Sequence, residues 1–134
     1  MKMTNKEILE AARCIGLLLT QKIKLRLAFK LEGLRRGLVP ALESYDKRVN
    51  QIKASHALKD ENGRIIPSKD ENGKEVPNTM VFETKNIGQM NAEISEILGK
   101  EEEVTLNPLS ISEFGEDVEL SPAILRGMFK VLSE

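Results

Sequence analysis

The apolar positions of this chain fall mostly at helical spacing. Ile8, Ala11, Ala12, Ile15, Leu18 and Leu19 recur every three or four residues, which marks one buried helical face. Just before them, Thr4-Asn5-Lys6-Glu7 has the form of a capping box. In that motif the Thr hydroxyl accepts from the N3 amide and the Glu carboxylate from the cap amide. A first helix over residues 5–20 is expected.

The next stretch supports two readings. From Lys22 to Leu31 charged and apolar residues alternate, the period of a half-buried strand. Yet Leu27, Leu31, Leu34 and Leu38 form an i, i+4, i+7, i+11 stripe, which is helical. Leu, Lys, Arg and Ala are good helix formers, and β-branched residues are nearly absent here. A helix is therefore expected, after a break near Thr20–Lys22. Pro40 has no amide to donate and is expected to kink or restart it after Gly37. Leu42, Tyr45, Val49 and Ile52 continue the stripe, and Glu43 and Lys47 make a favourable i, i+4 pair. The helix is expected to reach Leu58 and to form a hairpin, or one kinked rod, with the first.

A ten-residue repeat follows. Lys59-Asp60-Glu61-Asn62-Gly63-Arg64-Ile65-Ile66-Pro67 returns as Lys69-Asp70-Glu71-Asn72-Gly73-Lys74-Glu75-Val76-Pro77. Asn-Gly supplies the positive φ angles of a tight turn. Each short extended piece then ends at a proline, which suits a strand end or an edge. Residues 59–79 are expected to form an exposed β-arm of two turns flanked by short strands. Asp60 with Asn62, and Asp70 with Asn72, faintly resemble a calcium loop. That loop needs more oxygen ligands, a Glu at position 12 and Gly at position 6, so turn chemistry explains these residues better.

Beyond the arm, Phe82, Ile87, Met90, Ile94, Ile97 and Leu98 predict a helix over residues 80–98, stopped by Gly99. Val104 and Leu106 alternate, which gives a short strand over 103–109, and residues 110–115 read as a turn. Ser121-Pro122 is a cap with proline at the first helical position. Ile124, Leu125, Met128, Phe129 and Leu132 predict a last helix running to the C-terminus. The expected fold is one domain, mainly α with a small β element (α+β): residues 1–58 a helical hairpin, 59–79 the β-arm, 80–134 a helix, a short strand and a short C-terminal helix.

Composition agrees with helices. Aromatics are only 4% of the chain, so the core rests on Leu, Ile, Ala and Val. The lone Cys14 excludes an intramolecular disulfide and points to a reducing compartment. No run of about 18 apolar residues could span a membrane. Met1 to Asn5 lacks the ordered regions of a signal peptide. A cytoplasmic location is expected.

Charge is segregated. Residues 1–60 hold 13 Lys/Arg against 6 Asp/Glu, a net of +7, and residues 61–134 hold 7 against 15, a net of −8. The plain reading is that the two halves neutralise each other; the sharper one is a basic surface for an acidic partner. Lys22, Lys24, Arg26, Lys30, Arg35 and Arg36 face only Glu32 nearby. Such a helix could meet phosphates, but it lacks interleaved aromatics and any nucleic-acid reading motif.

The catalytic inventory is thin. Cys14 lies in the apolar face of the first helix and reads as a structural thiol. His56 is the only histidine, which disfavours a zinc site. Glu101-Glu102-Glu103 reads as a solvated charge run in a loop. There is no phosphate-binding or dinucleotide loop. No cofactor and no metal are expected, and the chain is not expected to be an enzyme.

Several features occur in sequence: a capped helix, a Leu/Lys-rich second helix with Leu42-Glu43-Ser44-Tyr45, a Lys-Asp-Glu-Asn-Gly turn, a further helix and a Val-x-Leu strand. In that order the chain resembles small uncharacterised proteins of tailed phages and prophages of Gram-positive bacteria. The resemblance covers most of the chain and implies a phage gene acting in a bacterial host cytoplasm. It carries no functional residues. The expected function is protein–protein binding, as an inhibitor (in an anti-defence role, for example), an adaptor or an assembly factor. The candidate surfaces are the basic helix and the apolar arm residues Ile65, Ile66 and Val76. Proline-bounded edges also offer self-pairing, hence a homo-oligomer. The alternative is a binder of a nucleotide or nucleic acid through the basic helix.

Overall fold

The computed structural model describes all 134 residues. In chain order the elements are β1 (Lys2–Thr4), α1 (Asn5–Leu19), α2 (Leu25–His56), α3 (Thr84–Leu98), β2 (Glu101–Glu103), β3 (Leu109–Ser110), α4 (Pro122–Gly127) and β4 (Leu132–Ser133). Short 3-10 turns lie at Ile111–Phe114 and Phe129–Val131. The fold is mainly α with a small β element. None of its helices is long and apolar enough to cross a membrane. The residues form two compact units, one of residues 1–44 and 98–134, the other of residues 45–97.

The first unit holds the main core. The capping box forms as the sequence requires: the Glu7 amide donates to Thr4 Oγ1 (3.1 Å) and the Thr4 amide to Glu7 Oε1 (2.8 Å). Ile8, Ala11, Cys14, Ile15 and Leu18 of α1 are buried with Leu27, Leu31, Leu34 and Leu38 of α2. α1 and α2 share this core, and the short α4 also packs against α1. α2 is continuous through Pro40, so of the kink or restart expected there the helix does not restart. The proline costs one ladder bond, since the carbonyl four residues back loses its donor, while Leu38 and Ala41 on either side stay anchored in the core.

The strands correct the sequence reading most. Glu101–Glu103 is not a loop: it pairs antiparallel with β1, Thr4 opposite Glu101 and Lys2 opposite Glu103. The ladder is made of backbone, to which three exposed or half-exposed glutamates are no obstacle; it pairs Glu102 with the buried Met3 and leads into the buried Val104. Of the strand expected over 103–109, only its two ends are in ladders. β3 pairs in parallel with β4, Leu109 opposite Leu132. The expected turn at 110–115 is a 3-10 turn capped by Ser110 and Glu113 and ended by Gly115 at φ 75°. The last helix stops at Gly127, short of the C-terminus, where the backbone meets the sulfur of Cys14.

Glu7 also pairs with Lys130 (3.1 Å). The Thr4 amide, foremost, and then Lys130 hold its carboxyl below the usual glutamate range against an opposing effect of burial. Glu113 is held low by Lys30, the Ser110 amide and Arg26. A depressed folded-state value stabilises above the unfolded value and loses that contribution as pH falls through the folded one. Urea midpoints measured down the pH scale should therefore drop below pH 4.5, the ordinary glutamate value. In Glu7→Gln, which keeps a capping side chain, that drop should be shallower.

The second unit contains the repeat. Asp60 Oδ1 accepts from the amides of Asn62 and Arg64, both at 2.9 Å, and the Gly63 amide donates to the Asp60 carbonyl (3.0 Å). The second copy repeats this at Asp70, Asn72, Lys74 and Gly73. Within the two loops only Gly63 and Gly73 take positive φ, 77° and 76°, so each is a type I turn closed by a left-handed glycine, with the Asn in ordinary space. The expected flanking strands reduce to single bridges, Lys59 to Ile65 and Lys69 to Glu75, because Pro67 and Pro77 end each ladder after one more bond. Asp60→Ala should cost about 1 kcal/mol or less locally. It should speed amide exchange at Asn62 and Arg64 while leaving Asn72 and Lys74 unchanged.

Candidate functional site

The first unit brings the basic residues to the start of α2. Thr20 ends α1 by donating its amide to Leu17 and Leu18 carbonyls. Gln21 then ties the connector to the 115–121 segment, exchanging two 3.3 Å bonds with the Glu119 backbone. Lys22, Ile23 and Lys24 lie outside any helix, with Ile23 packed against the core. The Ala28 amide donates to the Lys24 carbonyl (3.0 Å) and closes the first turn of α2.

Burial of Leu27, Leu31, Leu34 and Leu38 fixes which way α2 faces. Two residues along a helix is a rotation of about 200°, so Leu25 and Phe29 point away from the core. They are 73% and 70% exposed. They are also i, i+4 neighbours on one stripe. Lys22, Lys24 and Arg26, all exposed, make no ion pair beside them. Lys30 is different: it is bonded to Glu113 across a cleft of about 610 Å³. Lys22, Lys24 and Arg26 line one side of this cleft, Glu113, Glu116 and Asp117 the other. Arg35 is taken up by Glu32 in a two-pronged contact (3.1 and 3.0 Å), and Arg36 is exposed.

No family model, no curated protein and no solved structure matches this chain. Only its own geometry bears on what it does.

Of the residues singled out in the sequence, Lys22, Lys24, Arg26 and Lys30 are brought together, while Arg35 and Lys30 are neutralised internally. Ile65, Ile66 and Val76 belong to the second unit, where Ile65 and Val76 are half-buried and Ile66 is 36% exposed. Their burial is that of loop packing. Leu25 and Phe29 were hidden in the sequence by the same alternation that resembles a strand. On a strand they would share a face with Leu27 and Leu31; on a helix they take the opposite one.

The reactive groups have structural surroundings. Cys14 is fully buried, and burial pushes its thiol up, away from the nucleophilic thiolate. His56, isolated in the sequence, pairs in the second unit with Glu93 (2.9 Å). Asp60 and Asp70 bind their own loops' amides rather than converging as ligands. No three His, Cys, Asp or Glu side chains converge as a metal-binding group. A second exposed aromatic, Phe129 at 77%, stands beside Lys6 and Arg126 on a separate cleft of about 530 Å³.

Proposed function

We propose that this is a non-enzymatic accessory protein of phage type, acting in a bacterial host cytoplasm by binding another protein as an inhibitor, adaptor or assembly factor. One observation carries the reading: Leu25 and Phe29 stand in solvent together on an ordered helix whose opposite face is fully buried. Single exposed apolar residues are ordinary, but a paired Leu and Phe inside a basic patch is what an interaction anchor needs. Full burial of such a side chain favours association by about 1.5–3 kcal/mol.

The alternative is a nucleotide or nucleic acid held by Lys22, Lys24 and Arg26, which are exposed at the start of α2. That reading leaves the exposed Leu25 with no apolar surface to cover it. Purification from a bacterial host with and without nuclease, followed by mass spectrometry, separates the two. A stoichiometric host protein supports the first reading. Retained nucleotide, lost when Lys24 and Arg26 are reversed to Glu, supports the second. A protein that elutes alone and monomeric under every condition contradicts both.

A further inference from the structure

We infer that the exposed stripe at the start of α2 receives an acidic segment of a partner protein, one that presents apolar side chains to Leu25 and Phe29 and carboxylates to Lys22, Lys24 and Arg26. This rests on the protein-binding reading and specifies the chemistry of the occupant.

Three independent features of one place point the same way. First, the beginning of a helix is its positive end, where acidic residues are favourable and basic ones unfavourable. The first turn of α2 contains no acidic residue, and Lys22, Lys24 and Arg26 crowd that end instead. Lys24, which precedes the first helical residue, has no side-chain acceptor with which to cap the free amides. The other long capped helix, α1, does the reverse, with Thr4 as cap and Glu7 in its first turn. The start of α2 therefore carries no acidic residue of its own.

Second, the chain's own acids leave these cations without an ion pair. Glu113 is bonded to Lys30 and the Ser110 amide and is only attracted by Arg26 from a distance, Glu32 is taken by Arg35, and Glu116 and Asp117 line the facing wall of the cleft without bonding to Lys22, Lys24 or Arg26. Third, the apolar pair lies among these cations. A two-fold contact between two copies would press Leu25 and Phe29 together only by stacking Lys22, Lys24, Arg26 and Arg36 against the same charges of the second copy. Like charges forced together disfavour that pairing. A nucleic acid strand would meet the cations but would leave Leu25 with no ring or apolar surface to cover it. An acidic segment with apolar anchors satisfies the charges, the open helix end and the apolar stripe at once.

The test is selection of a random peptide display library on the immobilised protein, with Phe29→Ser, Leu25→Ser and Arg26→Glu as counter-targets. These positions are exposed, and unchanged thermal unfolding confirms that the variants are folded. Enriched peptides should be rich in Asp and Glu and poor in Lys and Arg, with two apolar residues three or four apart. Their affinity should fall about tenfold or more for each variant and weaken as salt rises. An enriched set that is neutral or basic, yet lost in Phe29→Ser, overturns the acidic occupant and leaves the protein-binding reading standing. No enrichment, together with binding of oligothymidylate that Arg26→Glu abolishes, overturns both. Acidic peptides that bind every variant equally place the site elsewhere and also overturn the inference.

Discussion

Gly127→Ala is expected to destabilise the protein by about 1–3 kcal/mol, the usual cost of forcing an extra carbon into a packed core. The sign is the informative part. In an open helical position the same change stabilises, by up to about 1 kcal/mol. Gly16 in α1 and Gly33 in α2 are such positions, with nothing within 4 Å of a would-be Cβ. At Gly127 that Cβ would lie 2.4 Å from the sulfur of Cys14. Cys14 is completely buried in the α1 face, and a packed interior leaves it little room to retreat. Removing the sulfur should relieve the clash, so Cys14→Ala should rescue much of the loss in the double variant. The two changes should couple by about 0.5–3 kcal/mol in a double-mutant cycle. Urea denaturation of the four proteins, with Gly16→Ala as the stabilising control, checks this. Strict additivity would mean that α4 does not touch α1 at this point.

The second large effect contrasts two neighbours on α2. Leu31 has no exposed surface, and Leu31→Ala should cost about 2–5 kcal/mol through lost burial and the cavity left behind. Phe29 is 70% exposed, so Phe29→Ala should change stability by about 0.5 kcal/mol or less. If Phe29→Ala proved as costly as Leu31→Ala, the stripe assigned to partner binding would instead belong to the core. Thermal or urea unfolding of the two variants side by side decides it.

What the sequence revealed and what it hid follow one physical line. Signals made within a few residues were legible. The Thr4–Glu7 capping box, the Leu27–Leu38 stripe, the break before α2 and the Asp-Glu-Asn-Gly turns all depend on side chains a few positions apart. Signals made across the chain were not. The pairing of Glu101–Glu103 with Lys2–Thr4 joins backbones about a hundred residues apart in sequence, and three glutamates give no hint of it. The close approach of Gly127 on α4 to the Cys14 sulfur on α1 joins positions more than a hundred residues apart. His56 finds Glu93 from a different helix.

The candidate site lies between these cases. Its cations were evident from composition. Its two apolar anchors were present as an alternation with a strand's period, and only the helix shows that they leave the core face. The neutralisation expected between the two halves is seen where Lys30 meets Glu113; Arg35 is paired within the basic half, by Glu32, and Lys22, Lys24 and Arg26 form no ion pair. That remainder, next to Leu25 and Phe29, is what distinguishes this end of α2 from an ordinary solvated helix.

The most direct measurement compares a host protein that co-purifies with the wild type and with Leu25→Ser/Phe29→Ser, first confirming that both have the same unfolding midpoint. Affinity for that host protein, measured by calorimetry on the purified pair, should fall by about a hundredfold or more in the double variant, as expected when two anchors of this size are removed. An unchanged affinity, in a variant that is folded and equally stable, would contradict the assignment of function to this face.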